Sequence, residues 1–157
     1  MEKGKAKMEQ ERFMRFVHLI DGIHKHVQKL RVEYAAELGV KGVHVFWVHE
    51  LLSHPEGLSA TELAASNHVD RSLISREISA LESKGLIKAM KPEGRRNYNS
   101  KLTLTDSGIE VAKKIKDFAM KCQTACGDGV CTEDLEIFYN TLEKLYSNFE
   151  QISTEEV

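Results

Sequence analysis

The chain has 157 residues, of which 41% are hydrophobic and 29% charged, a mixture that supports a buried core and excludes a disordered polymer or a membrane-embedded protein. No signal peptide and no apolar run of spanning length is present, so the expected location is the cytoplasm. The formal net charge is −2, but it is segregated: Ser59 to Leu104 holds eight Lys/Arg against five Asp/Glu, whereas Thr132 to Val157 holds seven acids against one base. The middle of the chain can therefore face a polyanion even though the whole cannot.

Near the N-terminus, Phe13, Phe16, Ile20, Ile23, Val27, Leu30 and Tyr34 alternate three and four residues apart. That spacing is a heptad-like stripe along some six turns of helix. A second helix is expected from about Val40 to Ser53, with Val45, Trp47, Val48, Leu51 and Leu52 as its apolar residues and His54-Pro55-Glu56-Gly57 as its end. The single tryptophan, Trp47, reads as core, with the lining of a ligand crevice as the alternative.

Ser59-Ala60-Thr61-Glu62 is a capping box, flanked by Leu58 and Leu63 at staple spacing, and it starts a short helix running to about Ser66. After the polar break Asn67-His68-Val69, Asp70 is a fitting N-cap for a further helix that Gly85 stops. Within it Ile74, Ile78 and Leu81 commit one face to a core, while Ser72, Ser75, Arg76 and Ser79 recur at i, i+3, i+4 and i+7 on the other, with Arg71 in the first turn. This is a helix, a tight turn and a donor-rich second helix, the arrangement that a major groove of DNA receives.

Leu86-Ile87 then begins a strand, Pro92-Glu93-Gly94 is turn chemistry, and Lys101-Leu102-Thr103-Leu104-Thr105 alternates as a returning half-buried strand. Arg95-Arg96 stands at the tip of this hairpin, where a pair of arginines suits the negative potential of a minor groove. A helix from about Asp106 to Cys126 carries Ile109, Ala112, Ile115, Ala119 and Cys122. In the final helix Thr132 is expected as N-cap, with Glu133 and Asp134 complementing the dipole and Leu135, Phe138, Leu142, Leu145, Phe149 and Ile152 forming a second stripe.

Four segments, Leu58-Ser59-Ala60-Thr61-Glu62-Leu63-Ala64, Val69-Asp70-Arg71-Ser72-Leu73-Ile74-Ser75-Arg76, Leu81-Glu82-Ser83-Lys84-Gly85-Leu86-Ile87 and Leu104-Thr105-Asp106-Ser107-Gly108, follow one another as in the MarR family of transcriptional regulators, which the chain resembles. The resemblance implies a mainly α (α+β) fold, a winged helix-turn-helix with long N- and C-terminal dimerisation helices. The expected layout is a dimerisation helix over 1–38, a DNA-binding lobe over 39–105 and dimerisation helices over 106–157. Two departures stand out: Glu93 is separated from Arg95 by Gly94, and Glu77 occupies a position that is commonly apolar, which suggests a local salt bridge or a loosened fit.

The expected function is sequence-specific binding of double-stranded DNA at an inverted-repeat operator by a homodimeric repressor that a small-molecule or oxidant signal releases. The expected contacts are Arg71, Ser72, Ser75, Arg76, Ser79, Arg95 and Arg96. The competing reading is a winged-helix protein-interaction module without specific DNA binding; the arginine set argues against it, because a protein-docking face would show apolar or aromatic anchors. Cys122, Cys126 and Cys131 suit a thiol sensor or a soft-metal site less well than two buried small hydrophobes and a loop thiol. The seven histidines are scattered, without the helical pairing a zinc site favours, so no metal and no cofactor is expected. No GxSxG, HExxH or phosphate-binding glycine loop is present, and no catalysis is expected.

Overall fold

The structure, a computed structural model, describes residues 2–90 and 100–152. In chain order the elements are α1 (Glu2–Glu37), α2 (Gly42–Ser53), β1 (Leu58–Ser59), α3 (Ala60–Ser66), α4 (Arg71–Ser83), β2 (Ile87–Met90), β3 (Lys101–Leu104), α5 (Asp106–Cys126) and α6 (Thr132–Gln151). The chain divides into two compact units, Met1–Lys116 and Asp117–Val157, with the boundary inside α5. No helix among the described residues is long and apolar enough to cross a membrane.

The core of the first unit forms around α2, a helix apolar on most of its circumference and therefore enclosed by its neighbours. Trp47, Val48 and Leu51 are buried there, together with Leu63 from α3, Ile74 and Leu81 from α4, Leu102 and Leu104 from β3, and Ala112 and Ile115 from α5. Trp47 is 1% exposed and is a core residue. The C-terminal end of α1 joins this core through Ala35, and the Tyr34 hydroxyl donates to the Lys114 carbonyl at 2.9 Å.

The sheet is antiparallel, in the order β1-β3-β2. Leu58 pairs with Leu102 and Ser59 with Lys101 on one side of β3, and Ile87 pairs with Leu104 and Met90 with Lys101 on the other. Strand β1 is absent from the sequence reading. Two residues are too few to show a period of two, and Ser59 carries the stronger local signal of a helix cap.

That cap forms as expected: the Ser59 hydroxyl accepts the Glu62 N–H at 3.2 Å and the Glu62 carboxylate accepts the Ser59 N–H at 2.7 Å. Asp70 caps α4 by accepting the Ser72 N–H at 2.6 Å. Lys84 ends α4 and Gly85 follows at φ +67, a left-handed conformation that glycine adopts without a Cβ penalty. At the start of α5 the Thr105 hydroxyl accepts the Gly108 N–H at 3.1 Å and donates to the Gly85 carbonyl at 2.5 Å. A Cβ at Gly108 would lie 1.9 Å from the Leu86 carbonyl oxygen, so only glycine lets the first turn of α5 approach the root of the hairpin.

In the second unit the N-cap of α6 is Cys131 and not Thr132. Its Sγ accepts the Asp134 N–H at 3.4 Å, and its extended backbone, φ −76 and ψ 158, is that of a capping residue. Thr132 is already the first helical residue. Helix α6 buries none of its residues.

Candidate nucleic-acid interface

Helix α4 has two unlike sides. Ile74 and Leu81 are buried in the core, whereas Arg71, Ser72, Ser75, Arg76 and Ser79 are all exposed, so the structure brings together on one helix the five residues expected there. The helix offers cationic guanidinium donors and small hydroxyl groups with no large apolar side chain among them. Arg76 is partly ordered before any partner arrives, its Nε donating to the Ser72 carbonyl at 3.3 Å. Its charge also helps hold the Asp70 carboxyl below its ordinary range, after the larger effect of the Ser72 N–H that the carboxylate accepts. Arg95 and Arg96, expected at the hairpin tip, lie outside the described residues, as does the turn around Gly94.

Glu77 explains how that helix is seated. Its carboxylate accepts two hydrogen bonds from the Lys41 Nζ, each 2.8 Å, and lies 3.0 Å from Nε2 of His44, a side chain that is 0% exposed. The Lys41 ammonium, with a smaller contribution from His44, keeps Glu77 below the usual carboxylate range despite its burial. The local salt bridge suggested by the charge at position 77 is present, but sequence reasoning did not supply the partners. Lys41 and His44 are 36 and 33 residues away, and nothing local marks them.

Among the described residues no group of three or more His, Cys, Asp or Glu is placed to hold a metal ion. Cys126 and Cys131 are exposed and Cys122 is half-buried, all as free thiols. The sequence reading of two buried small hydrophobes is corrected accordingly: Cys126 faces solvent at the end of α5 and Cys122 is only half-buried, whereas Cys131 does lie in the connection before α6, as that helix's cap.

No protein-family model matches the chain. A curated relative, the uncharacterized HTH-type transcriptional regulator YdgJ of Bacillus subtilis strain 168, is 31% identical over 106 residues, which span 65% of this chain and 62% of the relative's own length. Among solved structures, the chain is similar to MepR of S. aureus in complex with DNA, with a TM-score of 0.76, 17% identity and coverage of 85% of this chain and 96% of that one. It is similar also to a MarR family transcriptional regulator from Listeria monocytogenes complexed with 26mer DNA, with a TM-score of 0.76, 19% identity and coverage of 84% and 87%. The fold is the winged helix-turn-helix of MarR-type regulators.

Proposed function

We propose that the protein is a homodimeric, sequence-specific DNA-binding transcriptional regulator, a non-catalytic cytoplasmic repressor whose hold on DNA a small-molecule or oxidant signal relaxes. The observation that carries this reading is the exposed side of α4, where Arg71, Ser72, Ser75, Arg76 and Ser79 face solvent while the opposite side is anchored in the core. Arginine chelates guanine O6 and N7, and hydroxyl groups reach bases or phosphates, so this set fits a major groove. The relatives with this fold captured on DNA support the same use of it. The hairpin arginines Arg95 and Arg96 are proposed to add minor-groove and phosphate contacts.

Dimerisation follows from what a single chain leaves uncovered. Phe13, Ile20, Ile23, Val27 and Leu30 of α1 and Phe138 and Leu145 of α6 are exposed, each on a helix whose apolar residues recur at heptad-like spacing. A second copy supplies the missing cover, and the two-fold symmetry that results calls for an inverted-repeat operator with half-site centres about 10 bp apart. The protein-docking alternative is disfavoured by the same side of α4, which presents no aromatic or large aliphatic anchor.

The test is selection of bound fragments from a genomic library, followed by titration of a selected and a random duplex at two salt concentrations. The reading expects an enriched inverted repeat and binding to it that weakens steeply with salt. Equal binding of both duplexes, or binding of neither, would overturn it.

A further inference from the structure

The α1–α2 corner is fastened to α4 at two points on one side of that helix. Glu77 holds Lys41 and His44, and seven residues on, the Lys84 Nζ donates to the Gly39 carbonyl at 2.8 Å. Residues seven apart lie nearly in line along a helix, so the pair resists both rotation and sliding of α4. We propose that this clamp, Lys41 and His44 on Glu77 with Lys84 on Gly39, is the positioning device that sets the pose of α4 on duplex DNA, and that protonation of His44 releases it. The proposal rests on the reading of α4 as the DNA-contacting helix.

The hydrogen bonds determine which form of His44 fits. The Lys41 backbone N–H donates to His44 Nδ1 at 3.3 Å, so Nδ1 is an acceptor and the proton sits on Nε2, which donates to Glu77 Oε2. Both ring nitrogens are thus satisfied in the neutral tautomer alone. A second proton would place an N–H on Nδ1 against the Lys41 N–H and remove the cap that His44 gives the first turn of α2.

The charged groups around the ring are Glu77 and Lys84 from α4 and Lys41 from the start of α2, with the Trp47 ring 5.6 Å away between centroids. Burial, the largest influence, pushes the His44 pKa down; Glu77 opposes it, and Lys41 and Lys84 reinforce it. A folded-state pKa below the unfolded one means that the stabilisation from neutral His44 is present above the ordinary histidine value of about 6.5 and is lost as pH falls below it. Glu77 stays ionised across that window, so the change occurs at the ring.

The experiment compares unaltered protein, Glu77→Gln and His44→Gln on a selected and a random duplex, at about pH 7.5 and about pH 5.5, within the histidine range. Thermal melts accompany each variant. Glu77→Gln keeps an acceptor for His44 but loses the Lys41 ion pair; it should bind the selected duplex about tenfold more weakly, the size of a weakened base contact, with random binding unchanged or tighter. Acidification should lower the preference for the selected duplex in the unaltered protein and leave it level in His44→Gln, whose side chain donates to Glu77 but does not titrate. Ring 15N shifts of His44 in the unaltered protein give the same test without substitution, since loss of preference should track its protonation.

Equal tightening on both duplexes in Glu77→Gln would reduce Glu77 to a repulsive anion near phosphate and overturn the clamp. A preference whose pH dependence survives in His44→Gln, or does not follow the ring shifts, would overturn the release step. An unaltered protein with no preference for the selected duplex would overturn the DNA reading, and the clamp's role with it.

Discussion

In the unit Met1–Lys116, Trp47, Leu63, Ile74 and Leu81 come from three helices and cover one another almost completely, whereas in Asp117–Val157 helix α6 carries Phe138, Leu142, Leu145 and Phe149 at the same kind of spacing and buries none of them. The difference is not one of composition. An amphipathic stripe is stable only against another apolar surface; α2 is apolar on most of its circumference and buried, while α6 keeps its own stripe unburied. The first unit is therefore expected to owe its stability to contacts within the chain, and the second to owe it to association.

The sharpest way to break that contrast is Trp47→Ala. Truncating a fully buried aromatic residue costs about 3–5 kcal/mol, enough to threaten a small lobe outright, and the loss should not depend on protein concentration. Urea unfolding followed at two concentrations measures it; a loss under about 1 kcal/mol would mean that the core collapses onto the gap more readily than its packing suggests.

Leu142→Asp addresses the other side. It should remove about 1.5–3 kcal/mol of apolar burial per protomer and add an unpaired charge, turning a dimer at micromolar concentration into a monomer. Phe16→Asp on α1 should act in the same direction. Light scattering reads the result directly, and a mass near 17.8 kDa for the unaltered protein would show that the exposed stripes need no partner.

Arg76 belongs to the covered lobe but contributes nothing to its cover. Arg76→Ala should cost about 1–3 kcal/mol on the selected duplex while leaving the melt within about 0.5 kcal/mol. The paired change Arg95→Ala and Arg96→Ala should instead weaken specific and random DNA alike and flatten the dependence of log affinity on log salt by roughly 0.9 for each phosphate no longer neutralised. Sequence-independent weakening by Arg76→Ala would make Arg76 a phosphate contact.

The smallest effects distinguish the caps. Ser59→Ala should cost about 1 kcal/mol, because a hydroxyl at an N-cap satisfies an otherwise unpaired N–H. Cys131→Ser should be neutral or stabilise by a few tenths of a kcal/mol, oxygen being the better acceptor at that position. Differential scanning calorimetry of both variants checks the order.

The parts of this structure that the sequence made legible are those determined within a turn or two of helix. The caps at Ser59 and Asp70, the face division of α4 and the apolar stripes all depend on spacings of a few residues, and α5 spans the expected Asp106–Cys126. Strand β1 was not legible, because its partner β3 lies beyond α3, α4 and β2 in the chain and its two residues are too few to show alternation. The cap of α6 falls one residue early because a thiol takes a role usually given to hydroxyl or carboxylate groups. For the clamp, the anion at position 77 was visible as an anomaly, but His44 and Lys41 become its partners only once α2 lies across α4.

Thr105 joins two helix ends through one oxygen, donating to Gly85 just beyond α4 and accepting from Gly108 in α5, while the Thr105 N–H donates to the Leu86 carbonyl at 3.0 Å. Neither end can fray without breaking a bond that the other also needs. In hydrogen exchange the amides of Thr105 and Gly108 should therefore open on one clock, with a single protection factor and a shared response to denaturant. Thr105→Val, which keeps the shape and removes the hydroxyl, should let the Gly108 amide exchange early and alone.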